Sequence, residues 1–348
     1  AVAAAAAATA DEAAARGELR AAPHPPAGPR QQQRQPPQRQ AQLQLLHLQQ
    51  DKQIEQKHDQ DAAHMADPAP LREVEEPPAA LCGIGRFGQV FAAELALSDG
   101  KGGVTSRAVA LKFAQRTENA DNERAALELL HFHPNIVSYY GSWLEEDAKL
   151  VLALELCAED FYTQFTGKSL RPRTLTRYAR ELAHALRHIH SFNIIHGDIK
   201  AENVMLGKDG HLRVIDFGMA IFLDSPDEKV VTAGGTLHYA APELLRRQPH
   251  GVEVDWWSAI VLLHELAFGE LPFGIGELDA EADAMEICMR ICTAPLLLPY
   301  ETEHCADLDS DFQVTPSVLD DLFRSGLAKR PSERSSNFES VMALIPAV

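Results

Sequence analysis

No run of about 18 apolar residues occurs in the 348-residue sequence, so no segment reads as a membrane-spanning helix. The strongest apolar stretch, Ala259 to Phe268, is broken by His264 and Glu265. The alanine run at residues 2–8 is too weakly apolar, and too soon followed by Asp11 and Glu12, to read as a signal peptide. The sequence opens on Ala1 rather than Met, so residue 1 is not taken as the start of translation. Cysteine is also scarce. Cys82, Cys157, Cys288, Cys292 and Cys305 are odd in number and contain no CxxC pair, which argues against a disulfide scaffold and a zinc site. Cys288 and Cys292 fall on one helical face, and reduced thiols fit a cytoplasmic or nuclear location.

Positive charge is in short supply. Lys and Arg number 32 against 50 Asp and Glu, a net charge of −18. Residues 1–78 hold 8 against 11, and the remainder holds 24 against 39, so the acidity belongs to the second part. Such a surface repels a phosphate backbone, and no nucleic-acid partner is expected. It would more readily attract a basic peptide, and it also simply favours solubility.

Residues 1–78 have almost no aromatic residues or valine and are rich in Ala, Gln and Pro. That composition cannot bury enough apolar surface to offset chain entropy, so a mostly disordered arm is expected, its partners unknown. A short helix fits Ala41–Gln60, where Leu43, Leu46 and Ile54 recur, but fewer than three heptads argue against a coiled coil. Pro77-Pro78 closes the arm as a linker.

What is present begins at Gly83-Ile-Gly-Arg-Phe-Gly88, followed by Gln89-Val90. Glycines at this spacing let backbone N–H groups approach phosphates, although glycine turns are common enough that the pattern alone decides little. A dinucleotide fold would place a helix directly after it. Here Val90–Leu97 reads as a strand, Ser98–Ser106 as a turn and Ala108–Lys112 as a second strand, a flap over a nucleotide with Lys112 inside. A buried lysine needs a carboxylate partner. Glu123 supplies one in the helical stretch Asn119–Leu130, whose inner face carries Leu127 and Leu130. Glu128 competes but lies roughly 140° further round the helix, so Glu123 is favoured.

The segment Ile194-Ile-His-Gly-Asp-Ile-Lys-Ala-Glu-Asn-Val-Met-Leu206 places Asp198, Lys200 and Asn203 within six residues: a base, a cation and a neutral oxygen ligand. Asp216-Phe-Gly218 follows, and carboxylate with amide oxygen suits Mg²⁺.

With these motifs in this order, residues 79–345 resemble the protein-kinase superfamily. The resemblance implies a two-lobed α+β fold: a small, mostly antiparallel β lobe with one key helix (79–156) and a large, mostly helical lobe (157–348). It implies ATP and Mg²⁺ as cofactors and protein as substrate. Cys82, Gly83, Ile84, Gly85, Arg86, Phe87, Gly88, Gln89, Val90, Ala110, Lys112, Glu155, Cys157, Met205 and Asp216 are the expected ATP-binding residues. Leu81, Val90, Ala110 and Met205 look like the walls around adenine, and Glu155-Leu-Cys157 resembles the hinge, with Leu154 as gatekeeper. Asp198, Lys200, Asn203, Lys112, Glu123 and Thr236 are the expected catalytic residues, with Asn203 and Asp216 on the metal. Asp198 is the expected base. Lysine two residues after it, with Thr236 in Gly235-Thr-Leu-His-Tyr239, resembles the Ser/Thr class. His133-Pro-Asn-Ile-Val137, Ala241-Pro-Glu243, Asp255-Trp-Trp-Ser258 and Arg334, expected to pair with Glu243, complete the likeness. The stretch Asn135–Trp143 looks like stress-response and mitotic inhibitory kinases, and the subfamily stays open.

One departure matters. The family's His-Arg-Asp is here His196-Gly197-Asp198. That arginine normally pairs with a phosphorylated activation-loop residue, and glycine has no charge to offer. Activity is therefore expected to depend little on phosphorylation at Ser225 or Thr232. Smaller departures are a long loop at Ser98–Gly103 and Ile260 where glycine is common, which implies local repacking. Leu175, Tyr178, Leu182, Leu186 and Ile189 mark a helix under the catalytic loop, and residues 316–345 read as terminal helices. His184, His188 and His190 are expected to be solvated or capping rather than metal ligands. With Lys112, Asp198, Asn203 and Asp216 all present, a pseudokinase scaffold and a small-molecule kinase are the weaker alternatives.

Overall fold

A computed structural model describes residues 80–85, 88–98, 104–130, 133–145, 149–165, 169–277, 284–298 and 317–345. The arm at 1–78 with its helix at 41–60, residues Arg86 and Phe87, most of the loop at 98–103 and Cys305 lie outside the described residues.

The small lobe is one antiparallel sheet of five strands: β1 (Ala80–Gly85), β2 (Gly88–Ser98), β3 (Val104–Gln115), β4 (Tyr139–Leu144) and β5 (Lys149–Glu155), in the order β1-β2-β3-β5-β4. Alternation along β3 sorts its side chains. Val109 and Leu111 join Leu95, Val151 and Ala153 in a buried cluster, with Phe113, Tyr140 and Trp143 packed against it. The opposite parity, Ala110 and Lys112, pairs with Ala92 and Val90 on β2 and with Leu154 and Leu152 on β5. One face is thus core and the other a lining with a single cation. Between β3 and β4 lies helix α1 (Glu118–Leu130), whose Ala120 N–H bonds the Thr117 hydroxyl at 3.2 Å. Leu127 and Leu130 are buried on its inner face, and so is Glu123.

The large lobe is mostly helical: α2 (Phe161–Phe165), α3 (Pro172–Ser191), α4 (Pro242–Leu245), α5 (Glu253–Phe268), α6 (Ala284–Thr293), α7 (Ser317–Gly326) and α8 (Phe338–Leu344). Short strands β6 (Glu159–Asp160), β8 (Val204–Leu206) and β9 (Leu212–Val214) form one small sheet, and β7 (Ile194–Ile195) pairs with β10 (Ile221–Phe222). The expected stripe on α3 is buried throughout: Leu175, Tyr178, Leu182, Leu186 and Ile189. Helix α5 is apolar nearly all round, as a helix surrounded by protein must be. Its Trp257 stacks on Phe273 at 5.8 Å. Arg334 reaches Glu243 through two bonds, 2.6 and 2.9 Å, in full burial. Removing one partner of such a pair strands the other charge and costs about 3–5 kcal/mol.

The histidines of α3 correct an expectation. His184 is exposed, but His188 stacks on His133 at 4.8 Å, and His190 Nε2 lies 2.9 Å from the buried Asp255 carboxylate. The sequence pattern, in which they alternate with the apolar stripe, implies solvated or capping side chains, which describes His184 but not the covered rings of His188 and His190. Elements arriving from far along the chain cover two of them.

Candidate active site

Strand β3 carries Lys112 into the interior, where its Nζ lies 2.6 Å from Glu123 Oε1 and 2.8 Å from Asp216 Oδ1. The helix that presents Glu123 and the loop that presents Asp216 therefore meet on one ammonium. Burial alone would strip its proton, but Glu123 and Asp216 hold the Lys112 pKa above its ordinary value. Burial pushes Glu123 up, while Asp216, against its own burial, is held below the usual carboxylate range by Lys112. Two carboxylates share one cation, and Asp216, the one held ionised, is the one that faces the metal-binding position expected from the sequence.

The second group centres on Asp198. Its Oδ2 lies 2.9 Å from Lys200 Nζ and accepts from Asn203 Nδ2 at 3.0 Å. Its Oδ1 accepts from the Thr236 hydroxyl at 2.8 Å, and that hydroxyl accepts from Lys200 at 2.8 Å. Asn203 Nδ2 also donates to the Asp198 carbonyl at 2.8 Å, closing the loop upon itself. Lys200, Asn203 and Thr236 thus all meet on the Asp198 carboxylate.

In the sequence Asp255 stands out only as the first residue of the Asp255-Trp-Trp-Ser258 stretch. The structure gives it a larger task. Its buried carboxylate accepts from the backbone N–H groups of His196 and Gly197 at 2.8 and 2.9 Å, besides contacting His190. Burial works against its ionisation, but the His190 bond holds its pKa below the usual range. The catalytic loop is thus hung from the first turn of α5. The signal was present: an acidic residue before Trp-Trp, opening a helix too apolar to be exposed. His196 Nε2 lies 3.0 Å from the Ile215 carbonyl, and its ring packs on the buried Phe217 at 4.9 Å. Asp216 sits at φ 59°, a left-handed conformation held by these neighbours.

Beyond Phe217 the segment from Asp224 to Glu243 is held without a charge at position 197. Val230 and His250 exchange two backbone bonds of 2.9 Å, and Lys229 lies 2.8 Å from both oxygens of Glu253. The buried His250 ring contacts the Thr232 hydroxyl at 3.0 Å.

Three of the expected adenine walls can be placed. Val90 and Ala110 share the Lys112 face of the sheet by register, and Met205 lies on β8, which pairs with β6 just past the hinge. Cys82, Gly83, Ile84 and Gly85 are described as backbone of β1, and Gly88 and Gln89 open β2. The Glu155 side chain is turned onto Arg213 and Ser138, so only its main chain remains for a ligand.

A protein-family model described as "Protein kinase domain" matches residues 79–344. The chain belongs to the protein kinase family. The kinase domain is 33% identical over 223 residues to human "Ribosomal protein S6 kinase alpha-4", covering 61% of this chain and 29% of that protein. It is 33% identical to "Serine/threonine-protein kinase pakC" of Dictyostelium discoideum, over 55% of this chain and 40% of that one. It is also 33% identical to "Aurora kinase" of Encephalitozoon cuniculi, over 56% of this chain and 71% of that one. The chain spans about a third of the length of the S6 kinases it matches.

The donor set of the kinase domain fits Mg²⁺. Asn203 spends its amide nitrogen on Asp198, which leaves its oxygen for a hard cation, and Asp216 adds a carboxylate. Among the described residues no group of three or more His, Cys, Asp or Glu could hold a metal by itself. Two protein donors completed by phosphate oxygens and water suit an ion that arrives with its nucleotide. No helix among the described residues is long and apolar enough to cross a membrane.

Proposed function

We propose that this chain transfers the γ-phosphate of ATP to serine or threonine hydroxyls of protein substrates. The contact set of Asp198 with Lys200, Asn203 and Thr236, each at 2.8–3.0 Å, carries the reading.

ATP with Mg²⁺ supplies the transferable phosphoryl group and the charge neutralisation that phosphoryl transfer requires. Asp198 orients the substrate hydroxyl and accepts its proton as the new P–O bond forms, the bridging bond between the β- and γ-phosphates breaks and ADP leaves. Lys200, positioned by its contacts with Asp198 and Thr236, steadies the transferring phosphoryl group. Asn203 and Asp216 would hold Mg²⁺. Lys112, kept charged by Glu123, anchors the α- and β-phosphates. Val90, Ala110 and Met205 close on adenine, whose polar edge meets the main chain at Glu155 and Cys157.

Basic residues near the acceptor hydroxyl complement the acidic catalytic domain, where Glu159 and Glu202 are exposed near the hinge and the catalytic loop. A cytoplasmic or nuclear location fits the free thiols of Cys157 and Cys292.

The decisive experiment incubates the chain with labelled ATP, Mg²⁺ and a peptide library, with Asp198→Asn as control. Phosphoserine and phosphothreonine are expected, and the variant should lose at least about a hundredfold in rate. Equal signal from the variant refutes the role of Asp198. Mainly phosphotyrosine refutes the Ser/Thr assignment, and no transfer from either protein favours a scaffold.

A further inference from the structure

Glu155 ends β5 where the chain crosses from one lobe to the other. Its carboxylate is gripped from two sides. Ser138 donates its N–H at 3.3 Å and its hydroxyl at 3.2 Å, and Arg213 Nε donates at 3.0 and 3.2 Å. The Glu155 N–H in turn donates to the Ser138 carbonyl at 2.9 Å. The far arm of the Arg213 guanidinium, Nη2, reaches Asp209 at 2.8 Å. Side-chain exposure is only 11% for Arg213 and 18% for Glu155, so water screens this pair less than a surface pair.

The sequence leaves room for the guanidinium. A Cβ on Gly207 would stand 3.0 Å from Arg213 Cζ and Nη2 and 2.7 Å from Asp209 Oδ1. The main chain around Arg213 carries the small lobe as well. Asn135 Nδ2 donates to the Leu212 carbonyl at 3.1 Å, Val214 N–H to the Asn135 carbonyl at 2.9 Å, and Val137 N–H to the Val214 carbonyl at 3.0 Å. Strand β9 thus holds the segment 135–137 by its backbone and the end of β5 by one side chain.

We propose that Arg213 is a positioning residue for the nucleotide: by pinning the Glu155 carboxylate across the hinge, it sets the main-chain groups at 155–157 that receive adenine. This role rests on the kinase reading above. Arg213 is on none of the motifs and touches none of the phosphate-handling side chains. Its loss should therefore be felt at the adenine end of ATP and not in phosphoryl transfer. Without it the Glu155 carboxylate keeps only Ser138, and the chain leaving β5 loses the bond that fixes its direction.

The test compares the full chain with Arg213→Met and Arg213→Lys. ADP with Mg²⁺ and inorganic tripolyphosphate with Mg²⁺ are titrated calorimetrically, and kcat and the KM for ATP are measured. A bond to a charged group is worth about 1.5–3 kcal/mol, so Arg213→Met should weaken ADP, and raise the KM for ATP, by about tenfold or more. Tripolyphosphate affinity and kcat should stay within about twofold, because neither depends on adenine. Arg213→Lys should fall between, since an ammonium can reach Glu155 but cannot span to Asp209 as a fork does. Should Arg213→Met fail to fold, selective weakening of ADP by Arg213→Lys still supports the role. Equal losses for ADP and tripolyphosphate, a lowered kcat at unchanged KM, or a raised kcat would overturn it. Unchanged ADP affinity in both variants overturns the positioning role alone. A wild-type chain that binds neither ADP nor ATP overturns the kinase reading and this role together.

Discussion

The carbonyl oxygen of Met219 lies 2.8 Å from the place where a Cβ on Gly197 would stand, and Gly197 itself sits at φ +78°. Both facts oppose any side chain beside Asp198. Gly197→Ala is expected to cost about 1–2 kcal/mol, read as a lower melting temperature, and to slow transfer because Asp198 is the next residue.

The same position bears on regulation. The activation segment is tied down by the Val230–His250 backbone bonds and the Lys229–Glu253 pair, neither of which needs a phosphate. Replacing Ser225 and Thr232 together by alanine should leave the rate of transfer within about twofold, allowing for the lost Thr232–His250 contact. A large loss would show that a phosphate there is required.

Ile260, expected from the sequence to imply local repacking, packs closely on Gly326. A Cβ on Gly326 would stand 2.1 Å from Ile260 Cδ1. Gly326→Ala should therefore cost about 1–3 kcal/mol through overpacking. Ile260→Val removes Cδ1, so in the double variant the two losses should add to less than their sum in denaturant titrations. Simple additivity would place the strain elsewhere.

Burial pushes the buried His264 down to about 4, a shift only partly opposed by its 3.0 Å contact with the Glu270 carbonyl. The folded ring is neutral, whereas the unfolded ring takes up a proton as pH falls through its ordinary value of 6.5. The stability it contributes is therefore complete above about pH 6.5 and is lost progressively towards about pH 4, on the order of 3 kcal/mol in all. His133 and His188 are pushed down to about 4 in the same way, so the comparison must be with a variant. His264→Asn keeps a donor for Glu270 and does not titrate. Its melting temperature should fall less than that of the parent between pH 6.5 and 4.5.

The hinge thiol offers a chemical probe. Burial, with Glu155 adding to it and Arg213 opposing, pushes Cys157 up to about 12. At pH 8 it is a thiol and not a thiolate, so iodoacetamide should label it far more slowly than free cysteine. Rapid labelling of Cys157, located by peptide mapping, would contradict the buried, acid-flanked setting.

Residues that sit close in sequence were the most legible. The stripe of α3 from Leu175 to Ile189 and the cluster Asp198, Lys200, Asn203 follow from spacing along one segment. Glu123 could be preferred over Glu128 because helical phase separates them, and the 2.6 Å contact with Lys112 agrees. Arg213 gave no such signal. It is one arginine in a three-residue strand, and its partner Glu155 is 58 positions away.

The sequence by itself determined which chemical groups are available and in what order, because closely spaced glycines, a buried lysine and a clustered aspartate must be written as particular residues. It also determined that position 197 carries no charge. Only the tertiary structure decided the partnerships. Lys112 meets Asp216 across 104 positions, and Asp255 suspends the catalytic loop from a distance of 59. Periodicity reports which face of an element turns inward, whereas contacts between elements depend on how the lobes pack, which no local pattern encodes.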